Sequence, residues 1–168
     1  MCEDREKSPL LQFFCYLCHM KRLLLFLTLF ISVTAGAQHA QGLKVISHKI
    51  TSAWPSSLRS VKGKAQAVVK NTGKVRTFSD VQALVYRNGE PFVEGTCSDV
   101  AVARGQATYP LLGEVSLFRG RSVWDAVKAA VNFDAGEYTV DISMQVVYPD
   151  TTVTVTRTGI PLTKYLKR

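Results

Sequence analysis

The chain has 168 residues, of which 46% are hydrophobic and 20% charged. This is the composition of one ordinary globular domain, which excludes a disordered or fibrous chain. The formal net charge is +8, which favours encounters with anionic partners without specifying a fold.

Lys21-Arg22 open an apolar run from Leu23 to Val33, followed by the small residues Thr34, Ala35, Gly36 and Ala37. A basic start, a short apolar core and an Ala-x-Ala site predict a secretory signal peptide over residues 20–37, cleaved after Ala37. The run is shorter than the roughly 20 apolar residues of a spanning helix. Met20 directly precedes the basic pair, so residues 1–19 read as an upstream extension arising from start-site choice. The Cys15-Tyr16-Leu17-Cys18-His19 run matches the spacing for covalent haem attachment, but it lies upstream of the export segment, so no cofactor is expected. Arg5, Lys7, Lys21 and Arg22, with Glu3, Asp4 and Glu6, fall before Gln38, so 17 basic and 10 acidic residues, a net +7, belong to residues 38–168. Cys97 is the one cysteine of that part, and an apolar core rather than an intramolecular disulfide is expected to hold it.

From Leu43 the sequence reads as short strands separated by turn residues. Leu43 to Ser52 is the first, ending at Trp54-Pro55, where proline removes a backbone donor. Between Val61 and Lys70, Ala65, Ala67 and Val69 alternate with Lys64, Gln66, Val68 and Lys70, and Asn71-Thr72-Gly73 closes the strand. Val81, Ala83 and Val85 alternate with Gln82, Leu84 and Tyr86 up to Asn88-Gly89. Both turn residues tolerate positive φ, so a tight hairpin is predicted, with Phe92-Val93 on its return strand. After a turn at Arg104-Gly105, Ala107 to Phe118 predicts one strand, or two interrupted at Gly113.

One helix is predicted, over about residues 122–132. Ser122 caps its first turn and Asp125 answers from three residues on. Val123, Val127 and Ala130 with Trp124 and Val131 form its apolar stripe. Tyr138 to Tyr148 alternates again, Pro149-Asp150 turns the chain, and Val153 and Val155 return as a second hairpin. The whole is mainly β: an immunoglobulin- or fibronectin-like antiparallel sandwich of about seven strands with one short helix, with a small barrel as the alternative.

The chemistry-bearing residues are few. His48 sits in an alternating strand and Cys97 on a hairpin strand, with nothing nearby in sequence to orient a catalytic pair. Neither catalytic residues nor a metal site is expected. The strongest binding candidate is Arg119-Gly120-Arg121-Ser122, where Arg119, Arg121 and the Ser122 helix start suit an anion. Basic residues are spread over many strands without aromatic recognition motifs, which argues against nucleic acid and for anionic lipid, glycan or envelope proteins as partners.

The order of motifs from Val61 to Leu162 resembles the late embryogenesis abundant type 2 family, whose module is also called the WHy domain. The resemblance is carried by Ala67-Val68-Val69-Lys70-Asn71, by Val85-Tyr86-Arg87-Asn88-Gly89-Glu90-Pro91-Phe92, by the Val100 to Gly105 edge, and by Gly159-Ile160-Pro161-Leu162. The family's Asn-Pro-Asn loop is replaced by Asn71-Thr72-Gly73. The resemblance implies a sandwich with one helix, a role in stress protection and no catalytic residues. The sequence therefore predicts an exported, non-enzymatic module of the periplasm, outer membrane surface or extracellular space. The alternative is an accessory subunit docking through an edge strand or the helix.

Overall fold

The computed structural model describes residues 42–164; the predicted signal peptide, its Ala37 cleavage site and the upstream extension lie outside them. Eight strands form: β1 (Leu43–Pro55), β2 (Ser60–Asn71), β3 (Arg76–Arg87), β4 (Glu90–Cys97), β5 (Val100–Val102), β6 (Gly105–Leu117), β7 (Tyr138–Val147) and β8 (Thr152–Pro161). Among the described residues one α-helix, α1, spans Val123–Val131, and short 3-10 turns span Ala135–Glu137 and Leu162–Lys164. The architecture is the mainly antiparallel, sandwich-like β fold with one short helix that the alternation predicts. The shortest strand is β5, three residues that pair the first part of β3.

The strands belong to one hydrogen-bonded sheet in the order β1-β2-β6-β4-β3-β7-β8, with β5 beside β3. All pairings are antiparallel. β6 runs unbroken through Gly113 and inserts between β2 and β4. A nine-residue helix cannot cover a sheet this large, so the sheet curls over its own inner face. Bulges supply the curvature, because an extra residue bends and twists its strand. They interrupt β1 twice, β3 near Asp80, which adopts φ 49°, and β8 opposite Asp141.

The hairpin turn has the predicted geometry, with Asn88 at φ 51° and Gly89 at φ 80°. Just beyond it, Val85 faces Val93 while Tyr86 faces Pro91, leaving Phe92 as an extra residue. This bulge turns two consecutive side chains inward, and Phe92 and Val93 are both buried. The main core gathers them with Val81, Val85, Val115, Val140, Ile142 and Met144. A second cluster of Ala65, Ala67, Val69, Val102 and Leu111 fills the other end. Between them the inward positions of β2 and β6 are the paired glycines Gly63 and Gly113, and Phe78 and Cys97 pack against both clusters.

The helix is placed by its capping box: the Ser122 amide donates to Asp125 Oδ2 at 2.8 Å, and the Asp125 amide donates to Ser122 Oγ at 3.2 Å. Its buried face is Ala126 and Ala129, with Val123 packed against the core. Trp124 and Val131, expected on the buried stripe, are 64% and 66% exposed. Alanines let the short helix lie close against the strands, and an indole would hold it off.

Tyr138 packs between Phe133, stacked at 5.2 Å, and Phe92, edge-on at 6.2 Å. Its buried hydroxyl has no hydrogen-bond partner among the described residues. A buried, unsatisfied hydroxyl opposes folding, so Tyr138→Phe is expected to raise stability by about 1 kcal/mol. Thermal or urea unfolding checks this, and a loss of similar size would mean that the hydroxyl is satisfied in solution.

Candidate functional site: an open polar cleft on the outer sheet face

Strand alternation sends every second side chain away from the core. On β3 these are Gln82 and Leu84, on β4 Glu94 and Thr96, on β6 Glu114 and Ser116, on β7 Asp141 and Ser143, and on β8 Thr156 and Thr158. The strand order sets these five strands side by side, and together with Phe118 their outward residues line an open cleft of about 450 Å³. Its surface sets hydroxyls, carboxylates and one side-chain amide among the apolar groups of Ala83, Leu84, Ile142 and Phe118.

Local contacts fix the carboxylates. Glu114 Oε1 accepts from Ser56 Oγ at 2.6 Å, and Lys62 Nζ lies 3.8 Å from its Oε2. The Ser56 hydrogen bond, aided by Lys62, holds its carboxyl below the usual range, so it is ionised at neutral pH. Asp141 Oδ1 accepts from the Gly159 amide at 2.7 Å, which pins the β8 bulge where Gly159 adopts φ 64°. Burial and the neighbouring Asp141 carboxylate push the Tyr86 hydroxyl up. Glu94 is exposed on the adjoining strand. Such a surface presents acceptors and hydroxyls to a hydroxyl-rich ligand. Acid catalysis at a glycosidic bond needs a carboxyl held protonated, and Glu114 is shifted the opposite way.

The predicted anion site is differently employed. Arg121 donates through Nε to the Pro91 carbonyl at 3.0 Å and through NH2 to Glu90 Oε2 at 2.5 Å, with its guanidinium 5.9 Å from the Phe92 ring. Ser122 is engaged by Asp125. Two of the three candidates are thus committed to acidic or carbonyl partners of the chain itself, and Arg119 is left exposed beside them. Arg121 ties the helix start to the hairpin, and Ser122 caps the helix.

His48 and Cys97 do not meet. His48 is exposed on the edge strand β1, three strands from β4 in the sheet order. Burial pushes the Cys97 thiol up to about 11, so the thiolate is scarce at neutral pH. Alkylation of the native protein at pH 8 is expected to run on the order of a hundredfold or more slower than for a free thiol, and to accelerate on unfolding. A native rate equal to that in urea would contradict this placement. Among the described residues no cluster of His, Cys, Asp or Glu could hold a metal, and no helix is long and apolar enough to cross a membrane.

Fold and cleft define the class: an antiparallel, sandwich-like β protein with an open polar outer face. No family model matches the chain, and no curated protein does. Among solved structures, a protein from Archaeoglobus fulgidus is similar at 18% identity and a TM-score of 0.43, covering 68% of this chain and 91% of that one. A beta-glucuronidase from glycoside hydrolase family 2 is similar at 12% identity and a TM-score of 0.31, covering 68% of this chain and 11% of that one. Neither likeness bears on function.

Proposed function

We propose that the protein is an exported, non-enzymatic module of the cell envelope that works by reversible contact, binding and protecting what its outer sheet face covers. The observation that carries this reading is the cleft itself. It is broad and open, it carries hydroxyls and carboxylates, and its best-defined acidic groups, Glu114 and Asp141, are held by neighbouring donors. Pockets that enclose small substrates are deep and concave; this one is open and carries carboxylates and hydroxyls beside its apolar surface, which suits an extended, hydroxyl-rich chain such as a glycan. The export segment over residues 20–37 and the resemblance to the WHy family support the envelope and stress-protection parts of the reading. Calorimetric titration of the chain beginning at Gln38 with neutral and acidic oligosaccharides tests it. Saturable binding weakened by Glu94→Lys is expected, and no heat with any oligosaccharide would count against a glycan in the cleft.

A second reading, an accessory subunit of an envelope complex, is favoured by Trp124 and Val131, both mostly exposed on α1, and by the edge strands β1 and β8, whose outer sides pair with no strand among the described residues. Co-purification from envelope of a larger assembly, lost in Trp124→Ser, is its expected signature. Recovery of the chain alone would remove it.

A further inference from the structure

We propose that the outward face of β1 and β2 is a docking surface for an anionic lipid bilayer. The inference rests on the reading of the chain as an envelope module, and it names a partner and a surface distinct from the cleft.

Register puts the surface together. The inward residues of β2 are Val61, Ala65, Ala67 and Val69, all buried, so Lys62, Lys64 and Lys70 face outward. Residues directly opposite in a ladder share a face. Lys44 lies opposite Lys70, Lys49 opposite Gln66 and Trp54 opposite Lys62. Five lysines and a tryptophan therefore occupy one face of two strands. Neither β1 nor β2 contains an aspartate or glutamate. Among the described residues the one ion pair made by these lysines is Lys62 with Glu114 of β6, at 3.8 Å. Glu94 and Asp141 stand further along the strand order, on β4 and β7, so the outer face is basic at one side and acidic at the other.

This arrangement works against folding, since like charges directly opposite, as at Lys44 and Lys70, are destabilising. An external anion relieves it. From Lys62 to Lys70 the track is about 27 Å long at the rise of an extended strand.

The apolar residues among the lysines select the partner. Trp54 is 36% exposed with the Lys64 ammonium 5.7 Å from its ring centroid. Leu112, opposite Lys64 on β6, is 43% exposed, and Ile46, at a β1 bulge, 47%. A bilayer surface satisfies both kinds of group. Lysine stems lie along the apolar boundary with their ammonium groups at the headgroups, and indoles favour the same depth. A polyanionic glycan or nucleic acid would match the charge and leave Leu112 and Ile46 in water.

The chain's two tryptophans, Trp54 and Trp124, allow a test on the form beginning at Gln38, which keeps every described residue. Vesicles of phosphatidylcholine with and without phosphatidylglycerol are the probe. In Trp124→Phe, the remaining Trp54 emission should shift to the blue only with phosphatidylglycerol and return on adding salt. In Trp54→Phe, the Trp124 emission should not shift. Replacing Lys44, Lys49, Lys64 and Lys70 together by Gln should weaken vesicle binding by more than about a hundredfold, since each lysine near an anionic surface contributes about fivefold. Its melting temperature should stay unchanged or rise. Unaltered binding by this variant, a shift confined to Trp124, or binding to heparin and single-stranded DNA but not to vesicles would each overturn the proposal. Oligosaccharide binding at the cleft, read separately in the same variant, distinguishes failure of this surface from failure of the envelope reading.

Discussion

Phe92→Ala is expected to cost about 3–5 kcal/mol, the range for truncating a fully buried aromatic side chain. Its ring is 2% exposed, meets Tyr138 edge-on and lies under the Arg121 guanidinium. Truncation leaves a cavity where the hairpin, the helix start and β7 converge, and Arg121 loses the surface that orients it toward Pro91 and Glu90. Domains of this kind are stable by only about 5–15 kcal/mol, so a large share of the total disappears. Urea unfolding followed by circular dichroism measures it. Phe92→Leu, which keeps most of the volume, should lose well under half as much. A change below about 1 kcal/mol for the alanine variant would contradict the role given to the bulge.

Asn71→Ala is expected to cost about 2–3 kcal/mol, because it strips a buried turn of both its side-chain acceptor and its donor. Asn71 is 1% exposed. Its Oδ1 accepts from the Gly73 amide at 2.9 Å, and its Nδ2 donates to the Lys74 carbonyl at 2.9 Å and to the Val102 carbonyl at 3.5 Å. One amide thus closes the β2–β3 turn and ties it to β5. Beside it Arg76, buried at 3% exposure, also donates to the Lys74 carbonyl, at 3.3 Å. In Asn71→Asp the carboxylate still accepts from Gly73 but cannot donate to two carbonyl oxygens. Asn71→Asp should therefore lose stability at neutral pH as well, and urea unfolding that finds it as stable as the native protein would refute the bonding scheme.

These two residues also show how far the sequence could be read. Asn71 announces a turn, and the Asn88-Gly89 hairpin, the Ser122 to Asp125 box and the alternation of β7 are equally local, so each is visible in a short window. Where Asn71 points depends on β5, which lies some 30 residues on. The Phe92 bulge is invisible to a period-two reading, because the pattern has no place for two consecutive inward residues. The helix misled for a related reason. A stripe of Val, Trp and Val looks like the buried face, yet close approach to the strands selects the alanines and leaves Trp124 outside. The cleft was illegible altogether. Its residues come from five strands whose order places β6 beside β4 and β2, and no spacing along the chain encodes that. The basic cluster at Arg119 to Ser122 looked like a site because Glu90, about 30 residues away in sequence, is what answers it.

The most direct test of the outer face as the working surface is the aggregation of a heat-stressed client enzyme, followed by light scattering with and without the chain beginning at Gln38. Suppression by the native protein is expected, reduced when Gln82→Ala, Glu94→Lys and Thr96→Ala are combined in the cleft at an unchanged melting temperature. No suppression by the native protein, or equal suppression by the cleft variant, would contradict it.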